Sequence, residues 1–320
     1  MSDKKTISVM IPCYNEEENA RPIYEAVRDQ LVQNCPEYDY EILFIDNKSK
    51  DRTREIIREI CREDRQVKAI FNVKNFGQFN SPFHAMLQTS GDCTICLCAD
   101  FQDPPELIPR FVRAWEEGYR IVIGIKTRSR ENPLMYRLRG LYYKLLRRMS
   151  STEIIQQFTG FGLYDRSFLD TLRGLHDPTP FMRGLVAELG PERKEIEYEQ
   201  PQRRAGKTHN NFFTLYDAAM LSFTSYTKAG LRIATFGGFL IAGLSFLVGL
   251  VYLVLKLLFW YKFTAGYAPM MIGIFFMGGV QLAFLGFLGE YVMSVNTRVM
   301  NRPLVVEEER LNFDVTPDQR

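Results

Sequence analysis

Residues Thr94–Pro105 read TICLCADFQDPP. An apolar run, Ile95 to Leu97, stops abruptly at Asp100, Asp103 and the Pro104–Pro105 pair. Unpaired carboxylates are costly to bury and proline cannot donate to a ladder, so the run predicts a buried strand delivering acids to a sheet edge. The same pattern recurs in the first 124 residues, with candidate strands at Ile7–Ile11, Tyr40–Asp46, Val67–Asn72, Cys93–Ala99 and Ile121–Gly124. Between them, Glu17–Gln33 and Thr53–Asp64 carry apolar residues at helical spacing among charges. Such alternation predicts an α/β domain with a mostly parallel, doubly wound sheet, in which ligands bind beyond the carboxyl ends of the strands. The residues just past each strand are therefore the candidates: IPCYNEEEN (Ile11–Asn19), LFIDNKSKDRT (Leu43–Thr53), NVKNFGQFNSP (Asn72–Pro82) and the opening stretch. Helix capping accounts for any one acidic cluster but not readily for three at one edge.

Composition narrows the class. The net charge of +2 over 320 residues, with no reader helix or zinc module, argues against a nucleic-acid partner. The first residues, MSDKKTISV, lack the apolar core of a signal peptide, which predicts a cytoplasmic first domain. All six cysteines fall between Cys13 and Cys98 and read as reduced, packed thiols. Cys93 and Cys96 have a C-x-x-C spacing, but no second pair exists to close a zinc site.

The apolar residues concentrate after Leu231. Ile233–Leu255 and Ala268–Gly289 carry no charge, and each exceeds the ~20 residues needed to span a ~30 Å hydrocarbon core. They predict two transmembrane helices, about 233–255 and 268–290. Lys228 and Arg232 before the pair, and Arg298 and Arg302 after it, predict that both ends are cytoplasmic, although Lys256 and Lys262 in the outer turn dilute the bias. Glycines such as Gly237, Gly243 and Gly279 suit close helix contact within the hairpin or between protomers, so a homo-oligomer is expected. Leu134–Ser150 reads as a basic amphipathic helix, either lying on an anionic membrane or packed on its own domain. Asn211–Tyr226 reads as a second amphipathic helix at the interface. The expected organisation is a cytoplasmic domain at 1–210, a juxtamembrane helix at 211–230, the hairpin at 231–295 and a cytoplasmic tail at 296–320, polar and loosely ordered from Asn301 onward.

The order IPCYNEEEN, FIDNKSKD, NFGQ, ADFQDPPEL, then QRRAGKTHNNFFTLYD (Gln202–Asp217) and two apolar spans resembles glycosyltransferase family 2 enzymes of the GT-A fold. Within that family it is most similar to the polyprenyl-phosphate glycosyltransferases, the group of the dolichyl-phosphate mannose synthases and bacterial undecaprenyl-phosphate sugar transferases. The resemblance implies inverting transfer of one sugar from a nucleotide-sugar donor to a polyprenyl phosphate, in an inner-membrane, multi-pass enzyme serving cell-envelope glycan modification. It implies Pro12, Tyr14 and Glu16 at the nucleobase end of the donor pocket, Asp46 at the base or ribose, and Asn75 and Gln78 nearby. Asp100 and Gln102 would meet Mg2+ or Mn2+, which neutralises the leaving diphosphate. Arg128, Arg130, Arg203 and Arg204 can grip the acceptor phosphate through paired hydrogen bonds. Asp100, Arg128 and Arg203 are the residues expected to carry the reaction.

Three departures from the family pattern fall at acidic positions. Asn47 replaces a second Asp, with Lys48 in place of the usual Gly. Cys98 replaces the first Asp of an Asp-Xaa-Asp triplet. Gln157–Gly160 stands where an Asp-Xaa-Gly-Asp stretch often supplies a base, and glutamine cannot take a proton. The acceptor phosphate is already largely ionised near pH 7, its second pKa being about 6, so it has less need of a base. Asp103 and Asp165 remain as nearby carboxylates. The expectation is an active transferase; the alternative is a catalytically weakened protein that binds nucleotide sugar and lipid or organises a partner. The chain lacks a Gln-Xaa-Xaa-Arg-Trp motif and has only two candidate spans, which argues against a processive synthase.

Overall fold

The structure is a computed structural model that describes residues 4–127, 155–204, 220, 229–258 and 267–313. Four apolar runs form the parallel centre of one sheet: β1 (Thr6–Cys13), β2 (Asp39–Asp46), β3 (Val67–Asn72) and β4 (Cys93–Cys96). β1 to β3 are rich in Val, Ile, Leu and Phe because helices cover both faces, while the short β4 reads Cys-Thr-Ile-Cys. The crossovers are α1 (Ala20–Asn34), α2 (Thr53–Glu63) and α3 (Gly77–Gln88). A 3-10 turn at Pro105–Leu107 leads into α4 (Ile108–Glu116), then β5 (Ile121–Lys126), β6 (Phe158–Asp165), α5 (Arg166–Leu175), α6 (Met182–Leu189) and β7 (Lys194–Tyr198). Among the described residues eight strands lie in the order β7-β5-β6-β4-β1-β2-β3-β8, where β8 is Glu307–Leu311.

The sheet is mixed. β6 runs antiparallel to both β4 and β5, and β8 runs antiparallel to β3. Following the pairings across the sheet, β5 and β7 are parallel to β1, so the ends of β1 to β5 and of β7 and the start of β6 share one edge. One face packs Ile23, Val27, Ile57, Ile60, Phe111 and Val112 of α1, α2 and α4 on Phe44, Phe71 and Ile95. The other packs Phe83, Met86, Leu169, Leu172 and Val186 of α3, α5 and α6 on Leu43, Ile70 and Tyr164. Glu41 is buried at the far end of the sheet, where Ser8, Ser90 and Lys68 bond it; this acid staples the scaffold.

Two long helices follow, α7 (Ala229–Leu258) and α8 (Tyr267–Met300), touching where Gly237 of α7 faces the ring of Phe284 in α8. Among the described residues one stretch, Phe276–Met300, is long and apolar enough to cross a membrane; the apolar stretch Phe236–Val248 of α7 is shorter. The expected basic helix at 134–150 lies outside the described residues, and the juxtamembrane helix at 211–230 does so almost entirely.

The C-terminal segment differs from expectation. Residues 304–313 are docked on the domain, with Glu307–Leu311 completing the sheet beside β3. The segment is polar because it is an edge strand whose acids meet bases from α2, α3 and the turn after β2. Glu308 bonds Lys48 and Arg54, Glu309 bonds Arg58, and Glu307 bonds His84 and Arg310.

Candidate active site

The carboxyl edge of the sheet gathers most of the candidate residues. The turn after β1 is knitted to the turn after β2: Asn15 N–H donates to Ser49 Oγ at 2.9 Å, Glu16 N–H to Thr53 Oγ1 at 2.8 Å, and Lys50 N–H to Asn15 Oδ1 at 2.8 Å. Asn15 holds φ 56°, a left-handed conformation that asparagine tolerates. Pro12 and Tyr14 flank this turn, both half-buried.

Asp46 lies at the end of β2 with its carboxylate fully buried. It accepts from Lys48 N–H at 3.0 Å and Ser49 N–H at 3.1 Å, and Arg54 Nε lies at 3.2 Å. Burial pushes its carboxyl up despite these partners. In this position Asp46 folds the turn that follows it more than it presents a free oxygen.

Asn47 is a hub that the sequence does not reveal. Its Nδ2 donates to Asn75 Oδ1 and to the Gly77 carbonyl, both at 3.0 Å. Its Oδ1 accepts from Phe76 N–H at 2.9 Å and Asn72 Nδ2 at 3.2 Å. The backbone partners on both sides fix which end of the amide is nitrogen. Asn75 on the loop so held and Gln78 in the first turn of α3 are exposed, and Gly77 has φ 86°, which favours glycine.

The opening stretch leaves the sheet after Cys96, and Phe101 turns it with φ 62°. Asp103 is buried and closes this loop, accepting from Cys98 N–H and from Tyr198 O–H of β7, each at 3.1 Å. Burial pushes Asp103 up and Lys126, which faces it from the end of β5, down. Asp100 Oδ1 accepts from Gln102 N–H at 3.1 Å, leaving Oδ2 3.5 Å from Arg203 Nε. Arg203 Nη2 also donates to Glu16 Oε1 at 2.7 Å, while Asn19 bonds the other Glu16 oxygen at 2.6 Å. Burial pushes Glu16 up against these bonds. Arg204 N–H reaches the Asp100 carbonyl at 3.4 Å, and its guanidinium lies 5.2 Å from the Phe101 ring centre. The segment after β7 is thus closed over the Asp100 turn by charge on both sides. Arg128 and Arg130 lie outside the described residues.

The two spare carboxylates separate. Asp165 ends β6 at the opposite edge, where it caps α5 through Ser167 N–H and accepts from Trp115 Nε1 at 2.8 Å, so it is not near the site. Gln157, at φ 58°, precedes β6 at the site edge, and its carbonyl accepts from Lys126 N–H at 3.3 Å. Among the described residues no group of three His, Cys, Asp or Glu side chains is arranged to hold an ion unaided. Asp100 and Gln102, one carboxylate and one amide, are hard oxygen donors of the kind Mg2+ or Mn2+ takes, whereas the exposed Cys98 thiol is too soft to join such a set.

Residues 8–173 match the family described as Glycosyl transferase family 2. The SfII prophage-derived bactoprenol glucosyl transferase of Shigella flexneri is 32% identical over 298 residues, covering 93% of this chain and 96% of that protein. The bactoprenol glucosyl transferase of Shigella phage SfX is 31% identical over 305 residues, with 95% and 99% covered. The uncharacterized glycosyltransferase YkcC of Bacillus subtilis is 31% identical over 315 residues, with 98% and 97% covered.

Proposed function

The chain belongs to glycosyltransferase family 2, and on that premise we propose that it transfers a single sugar, with inversion, from a nucleotide-sugar donor to an undecaprenyl-type phosphate at the cytoplasmic face of the membrane. The observation that carries this reading is Arg203, which joins Glu16 and Asp100 at the donor edge from the segment that leads toward the membrane helices. A guanidinium there suits two phosphates, the donor's and the acceptor's. The Shigella relatives, named for bactoprenol and glucose, support a polyprenyl phosphate acceptor and put glucose first among sugars to try. In this reading α7 and α8 form a two-span hairpin with both ends cytoplasmic, and the glycine-bearing helices pair protomers.

The acceptor phosphate oxygen attacks the anomeric carbon as the bond to the donor diphosphate breaks, and the nucleoside diphosphate leaves. No proton need move, because the nucleophile is already an anion near neutral pH. Gln157 is therefore tolerable where a base is often found, and orientation plus charge carries the rate. Mg2+ or Mn2+ held by Asp100 and Gln102 would supply Lewis-acid neutralisation of the leaving diphosphate. Arg203 orients the phosphates, and Asp103 keeps the Asp100 turn in shape.

The test is a membrane assay with undecaprenyl phosphate and a panel of nucleotide sugars, with and without Mg2+ or Mn2+. A lipid-linked monosaccharide is expected, and Asp100→Asn should lower its formation about 10²-fold or more. No product across the panel, with lipid still bound, would replace this reading with that of a silent binding protein.

A further inference from the structure

Two unusual features of the chain meet at one point. Lys48 sits at φ 65°, a left-handed conformation that disfavours a side chain. Its ammonium reaches Glu308 Oε2 of β8 at 2.7 Å, although 260 residues and both long helices separate the two in sequence. The same Glu308 oxygen accepts from Arg54 Nη2 at 2.9 Å, and Arg54 Nε lies 3.2 Å from the buried Asp46 carboxylate. Asp46 in turn accepts the Lys48 backbone N–H. Asp46, Arg54, Glu308 and Lys48 therefore form a closed ring, three of whose members belong to the turn after β2 and the start of α2. The fourth is held in register by the β3 pairing and by the ion pairs of Glu307 and Glu309 on either side.

We propose that the C-terminal strand is an integral wall of the donor pocket, with Glu308 a positioning residue that holds the Lys48–Ser49 turn against Asp46. The proposal rests on the reading of this edge as the donor site. Glu308 touches no reacting atom; it acts through Lys48 and Arg54. The side chain at position 48 provides the handle by which the tail is coupled to the pocket, and it offsets the conformational cost of a non-glycine residue there. Attachment of the tail and shape of the pocket thereby become one equilibrium.

The test is a double-mutant cycle in the full-length protein, with Glu308→Gln, Lys48→Gly and the pair. It is read first by hydrogen exchange of the backbone amides at positions 48 and 49 without nucleotide. Glu308→Gln should speed exchange about fivefold in the native background and less than about twofold in the Lys48→Gly background, because a half-exposed ion pair is worth little once its coupling is gone. Equal acceleration in both backgrounds, or none in either, would overturn the proposal. The second reading is binding of UDP with Mn2+, where Glu308→Gln should weaken affinity about threefold or more at a temperature well below its thermal midpoint. Absence of UDP binding by the unmodified protein counts against the donor-site reading, whereas the exchange cycle still decides the role of Glu308.

Discussion

Asn47 shows how a single side chain decides the form of the proposed donor edge. Two of its four hydrogen bonds are donations from Nδ2, to the Gly77 carbonyl and to Asn75. A carboxylate cannot make either. Asn47→Asp therefore puts a buried negative charge against two oxygens. It should destabilise the domain by about 1–3 kcal/mol and weaken UDP binding by loosening the Asn75–Gly77 loop. Denaturant titration alongside UDP binding checks this, and a variant unchanged in both would remove Asn47 from its role as hub. At this scale the sequence was only partly legible. It marked position 47 as a departure, but its partners lie 25 to 30 residues away and only the fold brings them together. The same blindness put Asp165 near the site: antiparallel β6 carries it to the opposite edge, a reversal that no local pattern announces.

Among the elements, the buried parallel strands were readable because burial on both faces forces apolar runs that end in polar turns. β8 was not, because Glu307–Leu311 has no apolar pattern and is stabilised by bases that the sequence puts far away. Its acids now predict a pH response. Hydrogen bonds from Lys48 and Arg54 push Glu308 down to about 2. Against burial, which would raise it, His84 and Arg310 hold Glu307 down at about 2. Both lie below the ordinary glutamate value of 4.5, so their contribution is fully present above about pH 4.5 and is lost as pH falls toward 2. Thermal midpoints of the parent protein and of Glu307→Gln/Glu308→Gln should differ by a constant amount above pH 5 and converge below pH 4.5. A gap that widens on acidification would contradict this assignment of the ion pairs.

For the whole molecule, the decisive lengths are those of α8 and the link behind it. Its 34 residues span about 51 Å, against a hydrocarbon core of about 30 Å. On the proposed hairpin reading, the helix therefore continues beyond the membrane into the cytoplasm, where Arg298 Nη1 lies 3.7 Å from Asp177 Oδ1 of the domain. Only Asn301, Arg302 and Pro303 separate the helix from the docked segment, and three residues reach at most about 10 Å. On that reading the helix and the sheet edge beside the proposed donor pocket are tethered at a fixed height, which suits a pocket proposed to meet a phosphate at headgroup level. The sequence showed the two apolar segments and the charged tail, but not that the tail returns to the sheet and sets this height. A flexible six-residue Gly-Ser insertion after Arg302 would leave β8 docked while slackening the tether. UDP affinity should then stay within about twofold, while transfer to undecaprenyl phosphate should fall about tenfold or more, because misplacement of reacting groups by even an ångström is costly. If transfer persists at the parent rate, the connection between β7 and α7 alone sets the height. If UDP binding falls with it, the insertion has undocked the strand, which hydrogen exchange along β3 would reveal directly.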